Sequence, residues 1–451
     1  MKIHLIAIGG SAMHNLAVAL KRRGHEVSGS DDEIFEPSKS RLAAEGILPP
    51  AWGWFPDKIA EDLDAVILGM HAREDNPELI AALDAGIKIY SYPEYLYEQT
   101  KNKTRIVVGG SHGKTTVTSI IMHVLEKNGR KFDYMAGAGV RGFDTMVRLE
   151  ETNPIAVFEG DEYLSSAIDR RPKFHHYRPH IAILTGIAWD HINVFPTFEN
   201  YVEQFKIFID KIEVGGKLIY YKHDPHIQKL LTSVRKDISL IGYEEFPNRK
   251  TGNLRIIEKG GNVPVSIFGK HNMENLSAAY WACKEAGISE EEFFAAASSF
   301  KGADKRLEKI LESGTTEVFM DFAHSPSKLK ASIAALREEF PGHRIIACME
   351  LHTFSSLNAD FLPTYRNSMQ EADSAYVYYN PEVISRKKLP DISTEKVKKG
   401  FNRKDLHVYT DNRLLFEMLG KEIYENAVLI FMSSGNFSGT DLRSKAKELV
   451  G

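Results

Sequence analysis

The chain has 451 residues, 43% of them hydrophobic and 26% charged, and a formal net charge of −4, the profile of a globular protein of roughly two to four domains. That balance offers no basic field for nucleic acid, and no uninterrupted apolar run reaches the length of a membrane span. Cys283 and Cys348 lie far apart and form no CxxC pair, which excludes a disulfide framework and a cysteine zinc site and fits buried thiols in a reducing compartment.

The opening "MKIHLIAIGG" runs directly into a glycine turn instead of a cleavage site, so a cytoplasmic location is expected. Residues 6–31, "IAIGGSAMHNLAVALKRRGHEVSGSD", read as a strand, a glycine turn, a helix and a second strand ending on Asp31. A dinucleotide fold has this arrangement, with an acid about twenty residues on to hold a ribose. Its GxGxxG fingerprint would fall on Ala7, Gly9 and Ala12, however, and two alanine methyls obstruct the close backbone approach of a pyrophosphate. On this stretch alone a dehydrogenase and a purely structural turn both stay open. Strand runs "AVILGM" and "IKIYS" follow, and this first segment, 1–103, ends in the charged, unpatterned "EQTKNKT" at 98–104, which reads as a linker.

A second segment, 104–302, contains strand runs "RIVVGG", "IAVFEG", "IAILTG" and "KLIYY", a polar region around 244–262 with hairpin character, and a helix from near Asn272. The third, 303–451, alternates through "EVFMDFA", "RIIACME", "SAYVYY", "LHVYT" and "AVLIFMSS". Strands alternating with helices along the whole chain predict an α/β protein with parallel, doubly wound sheets.

The strongest chemical signal opens the second segment, "RIVVGGSHGKTTVTSIIMHVL", in which a strand runs into Gly110, Ser111, His112, Gly113, Lys114, Thr115 and Thr116 and then a helix. Backbone N–H groups and the positive end of the helix can surround a polyphosphate, Lys114 can neutralise β and γ oxygens, and the Thr115 hydroxyl can bind Mg²⁺. The residue five before Gly113 is Val108 and not glycine, so the loop is a shortened form of the Walker sequence. A structural turn has little use for a lysine followed by paired threonines.

This loop resembles that of the Mur ligase family, ATP-dependent enzymes that join amino acids or peptides to UDP-muramoyl precursors. The resemblance covers essentially the full chain, since "FEGDEY" (158–163), "WDHINVF" (189–195), "GKHNMEN" (269–275), "DKRLE" (304–308) and "DFAHSP" (321–326) arrive in family order. It implies a Rossmann-like N-terminal domain for the UDP substrate, a central P-loop ATPase domain with a mainly parallel sheet, and a Rossmann-like C-terminal domain for the acceptor. It makes Gly9, Gly10, Ser11, Ala12 and Met13 a diphosphate turn, Ser30 and Asp31 candidate uracil or ribose contacts, and "GMHARED" (69–75), with His71 and Arg73, a second UDP-facing loop. Glu159 and His191 become Mg²⁺ ligands; Asn272 reads the adenine edge, His271 lines its face, and Asn275 either joins them or supports the helix. Arg306 matches an arginine that reaches ATP phosphate, Asp321 an acid that binds ribose once the domains close, and His324 suits the phosphates or the intermediate. Lys206 lies 15 residues beyond His191, the spacing at which several members carry a carbamylated lysine that supplies a second Mg²⁺ ligand; a solvated lysine on an amphipathic helix is the other reading.

Within the family, "DRRPKFHHYRP" (169–179) lengthens the Glu159–His191 separation to 32 positions, and with "FMSSGNFSG" (431–439) it resembles members that attach a recycled tripeptide to UDP-N-acetylmuramate. "ELHTFSSLNADF" (350–361) stands where the acceptor segment is expected, without the arginines of the alanine-adding members. Arg170, Arg171, Lys173 and Arg178 could face an acidic peptide or be solvated. ATP, Mg²⁺, UDP-N-acetylmuramate and a muropeptide acceptor are therefore the expected ligands, with no nucleic acid, membrane or obligatory protein partner. An alanine ligase and a non-catalytic nucleotide sensor remain as alternatives.

Overall fold

The computed structural model describes residues 1–252 and 254–451. Four sheets account for the strands among them. The first consists of β1 (Lys2–Ile6), β2 (Glu26–Ser30), β3 (Ala65–Leu68) and β4 (Ile89–Ser91) in the order β2-β1-β3-β4, every pair parallel. The second contains β5 (Thr104–Gly109), β6 (Phe132–Met135), β7 (Val147–Arg148), β8 (Ile155–Glu159), β9 (Ile181–Leu184), β10 (Lys217–Tyr221) and β11 (Ser239–Tyr243) in the order β11-β10-β9-β5-β8-β6-β7. Only its edge pair β6/β7 is antiparallel. The third is a small antiparallel sheet of β12 (Asn248–Thr251), β13 (Leu254–Ile257) and β14 (Val263–Val265), the hairpin region expected from the sequence. The last contains β15 (Glu308–Ser313), β16 (Thr316–Asp321), β17 (Arg344–Glu350), β18 (Ser374–Tyr378), β19 (His407–Tyr409) and β20 (Ala427–Met432) in the order β15-β16-β20-β17-β18-β19, parallel except for the β15/β16 edge.

The strand sequences explain this choice. Runs such as "AVIL" in β3 and "AVLIFM" in β20 are apolar at every position and wholly buried, so each strand has both faces covered, as helical crossovers in parallel sheets require. Strands β6, β7, β11 and β15 were not legible: they sit at or beside sheet edges, where polar residues interrupt the pattern.

Residues 98–104, expected as a linker, carry the end of the helix Tyr92–Thr100, a three-residue turn, and the start of β5. The helix is set by a capping box between Ser91 and Glu94 and a proline in its first turn, and its charged tail conceals the buried Thr100.

The chain divides into two compact units. One comprises 1–187, 199–244 and 275–297; the other comprises 188–198, 245–274 and 298–451. Among the described residues no helix is long and apolar enough to cross a membrane.

Candidate nucleotide and ligation site

In the first unit, β5 lies between β9 and β8, and the strand order reverses around it. The loop leaving its carboxyl end therefore opens at the crevice where open parallel sheets take ligands. Gly110 (φ 125°) and Gly113 (φ 71°) both adopt left-handed backbone. A Cβ would stand 2.1 Å from the Thr185 hydroxyl oxygen at Gly110 and 2.2 Å from Asn275 Oδ1 at Gly113, so only glycine fits. Asn275 thus braces the loop from behind. Ser111 N donates to Gly186 O at 2.9 Å, completing the turn into the helix Lys114–Lys127.

The side chains of the loop are already engaged. Lys114 Nζ donates to Gly110 O at 2.7 Å and to Glu162 Oε2 at 2.5 Å. Burial disfavours its charge, but Glu162 and Asp161 outweigh that and hold its pKa above the ordinary lysine value. The Thr115 hydroxyl donates to Glu159 Oε1 at 2.9 Å, and Gly137 N donates to Glu159 Oε2 at 2.7 Å. A hydroxyl and a carboxylate oxygen beside a phosphate cradle are hard donors of the kind Mg²⁺ takes together with phosphate oxygens. No group of three or more His, Cys, Asp or Glu that could hold a metal is found among the described residues.

In the second unit, "WDHINVF" forms a tight loop. His191 sits at φ 54°, its carbonyl accepts from Val194 N (2.8 Å) and Phe195 N (2.9 Å), and its own N–H donates to Asp190 Oδ1 at 2.8 Å. Asp190 is buried with His324 Nε2 at 3.5 Å and Lys328 Nζ at 4.0 Å from its other oxygen. Burial works against its charge, yet His324, His191 and Lys328 hold its carboxyl well below the usual carboxylate range. Asp321, expected at a ribose, is buried: Oδ1 accepts from Leu307 N at 3.2 Å and Oδ2 from the Ser332 hydroxyl. It fixes the "DKRLE" turn, in which Arg306 lies over the Phe322 ring at 4.6 Å. Asn272 Nδ2 donates to Phe268 O at 2.9 Å, which closes the turn that begins the helix Lys270–Glu285; His271 is in that same first turn.

Profiles of three domains match the chain in order: the "Mur ligase family, catalytic domain" at residues 2–104, the "Mur ligase middle domain" at 108–283, and the "Mur ligase, glutamate ligase domain" at 305–435. The chain belongs to the Mur ligase family. It is thus an ATP-dependent ligase by family. A UDP-N-acetylmuramate–L-alanyl-γ-D-glutamyl-meso-2,6-diaminoheptandioate ligase of Escherichia coli is 31% identical, over 78% of this chain and 79% of that protein. A UDP-N-acetylmuramate–L-alanine ligase of Caldicellulosiruptor bescii is 30% identical, over 83% of each. The crystal structure of a murein peptide ligase from Psychrobacter arcticus superposes with a TM-score of 0.69 and 24% identity, over 100% of this chain and 99% of that one, and has the same fold.

Other positions singled out in the sequence of this Mur ligase have structural duties. At the carboxyl edge of the first sheet, Ala7 takes φ 66° where the dinucleotide fingerprint would have glycine, and Gly9 N donates to Asp31 Oδ2 at 2.7 Å. Asp31 therefore pins the turn of Gly9 and Gly10, and burial pushes its carboxyl up to about 6. Ser11, Ala12 and Met13 begin the helix Ser11–Arg22. Ser30 is fully buried, with its hydroxyl accepting from Lys58 Nζ at 3.1 Å, so it supports the edge from inside. His71 and Arg73 lie exposed in the loop after β3, Arg73 against Asp75 at 3.1 Å.

Three of the four cations in the basic segment 169–179 have carboxylate neighbours. Arg171 pairs with Asp169 (2.7 Å), Lys173 with Asp161 (2.6 Å) and Arg178 with Glu213 (3.3 Å), while Arg170 is exposed. Phe174 stacks on Phe208 at 4.7 Å and Tyr177 packs on Phe158 at 4.9 Å, which anchors the segment. Lys206 lies on the helix Phe198–Asp210, its side chain 44% exposed and 3.4 Å from Glu203 one turn back. Sequence reasoning missed Glu162, Tyr201 and Asp190. Glu162 and Asp190 stood inside motifs already singled out, next to the residues that were chosen, whereas nothing local marks Tyr201.

Proposed function

We propose that this Mur ligase joins L-alanyl-γ-D-glutamyl-meso-diaminopimelate to UDP-N-acetylmuramate at the expense of ATP. The observation that carries the reading is the likeness, over most of both chains, to a ligase named for that reaction. It is supported by a phosphate loop whose Gly110 and Gly113 take left-handed backbone that only glycine fits and whose Lys114 brings the positive charge. The lactyl carboxylate attacks the γ-phosphorus and ADP leaves; the resulting acyl phosphate has a good leaving group. The peptide amine then attacks the carbonyl carbon, and the tetrahedral intermediate collapses to an amide with loss of phosphate and the amine proton. Gly110 to Thr116 cradle the phosphate chain, and Lys114 neutralises charge as it moves to the leaving oxygen. Magnesium, when bound, would supply further neutralisation, with Thr115, Glu159 and a carbamylated Lys206 as the residues of the first unit that would hold it; His191 keeps the metal-facing role that the family resemblance implies. His271, Asn272, Arg306, Asp321 and His324 take the nucleotide-facing roles the family resemblance implies. A UDP-linked precursor and ATP assign the reaction to the cytoplasm.

The acceptor is tested by competition. A tripeptide offers contacts remote from its amine that can orient it toward the acyl phosphate, which free alanine lacks. The tripeptide is expected to exceed L-alanine in kcat/KM by at least about a hundredfold, or roughly 3 kcal/mol of transition-state discrimination. With both acceptors at equal concentration and products resolved by mass, a dominant alanine adduct would replace this reading with the alanine ligase, which the Caldicellulosiruptor relative favours.

Carbamylation of Lys206 predicts that Lys206→Ala is inactive and partly rescued by short carboxylic acids. Active enzyme in ¹³C-bicarbonate should show a carbamate carbon signal that Lys206→Ala lacks. A signal-free active enzyme returns Lys206 to the solvated face of its helix.

A further inference from the structure

Four side chains around the phosphate loop form one hydrogen-bonded chain. The Ser111 hydroxyl is 2.8 Å from the Tyr201 hydroxyl, which donates to Glu162 Oε1 at 3.0 Å, while Glu162 Oε2 holds Lys114 Nζ at 2.5 Å. Tyr201 is fully buried and Glu162 is 1% exposed, so this carboxylate is a built part of the site and not a surface charge. Its fixed negative charge sits on the lysine that a triphosphate needs. A phosphate arriving at the loop meets an ammonium already paired, in a low-dielectric setting where that pairing is strong.

We propose that Glu162 is a positioning residue that acts as the resident counter-ion of Lys114, holding the lysine folded against the loop until the β and γ phosphates displace it. The carboxylate keeps Lys114 ordered against the loop, and Tyr201 keeps the carboxylate in place through a helix, Phe198–Asp210, distant in sequence. Nucleotides that reach Lys114 compete with Glu162, whereas a nucleotide with only an α phosphate does not. The inference rests on the ATP-binding reading of the loop.

The test measures binding of AMP, ADP and the non-hydrolysable triphosphate AMP-PCP by calorimetry. Glu162→Gln keeps the size and one acceptor oxygen of the side chain but removes its charge. It is expected to tighten AMP-PCP by about tenfold or more, ADP by less, and to leave AMP unchanged, an effect on the scale of coupled neighbouring charges. A merely structural role would weaken all three alike, and that result, or unchanged AMP-PCP affinity, would overturn the proposal. In a Lys114→Gln background the gain from Glu162→Gln should vanish; if it persists, Glu162 repels phosphate directly and is not the counter-ion of Lys114. Should Glu162→Gln fail to fold, Glu162→Asp, which retracts the carboxylate from Lys114, is expected to tighten AMP-PCP selectively, and a uniform loss would again overturn the idea. Wild-type protein that binds no AMP-PCP would instead remove the ATP-site reading itself.

Discussion

Lys114→Ala should slow substrate-dependent phosphate release by about a hundredfold or more, the scale on which one preorganised charge stabiliser contributes to a transition state. Lys114 begins the helix behind the loop, and its ammonium is fixed by Gly110 O and Glu162, so it reaches the phosphates without reorganising the backbone. Removing it also leaves Glu162 buried without its cation, and breaking a buried pair costs about 3–5 kcal/mol of stability. The two effects separate in the double variant Lys114→Ala/Glu162→Gln. Its melting temperature should recover toward the wild-type value while turnover stays slow. Near-normal phosphate release in the single variant would remove Lys114 from the chemistry, and turnover that recovers along with stability would show the defect to be one of folding.

The largest purely structural effect is expected at Arg105. This side chain is 1% exposed, and its guanidinium donates to the carbonyls of Tyr177 (2.9 Å), Arg178 (3.0 Å), Thr100 (2.9 Å), Lys101 (2.7 Å) and Lys103 (3.0 Å) and to Glu213 Oε1 (3.1 Å). It thereby ties the turn between the first two sequence segments to the end of the 169–179 stretch. No other side chain offers a planar fork of five N–H donors. Arg105→Ala leaves a cluster of main-chain acceptors without partners, and a destabilisation of about 3–5 kcal/mol is expected, with Arg105→Lys recovering only part of it. Thermal unfolding followed by circular dichroism reads this as a shift of several degrees in the first transition. A melting curve that overlays the wild-type one would show that water takes over the carbonyls at no cost.

Arg105 also illustrates what a sequence withholds. It lies in "TRIVVG", where Ile106, Val107 and Val108 announce a buried strand, and Thr104 and Arg105 read as a polar start to the run. Its burial depends on carbonyls from residues 177–178, brought alongside only when β5 pairs with β9. The same holds for Tyr201, an unremarkable residue in "FENYVEQF" until its helix packs beside the loop and its hydroxyl meets Ser111 and Glu162.

What the sequence determined by itself was whatever is encoded within one strand, turn or helix: the continuous apolar runs that demand two covered faces, the glycines that permit φ above zero, and the lysine and threonines of the phosphate loop. Those features depend on neighbours a few residues away, so they survive without any knowledge of the fold. The tertiary structure decided the rest, because a charge acquires its role from what else is buried with it. Arg171, Lys173 and Arg178, which could face an acidic peptide or be solvated, have Asp169, Asp161 and Glu213 beside them, the last shared with Arg105. Asp31, expected at a uracil or ribose, and Asp321, expected at a ribose, accept N–H groups from turns distant in sequence, at Gly9 and Leu307. Buried carboxylates such as Asp31 and Asp321 had to find partners within reach, and only the packing of the sheets decided which partners those were.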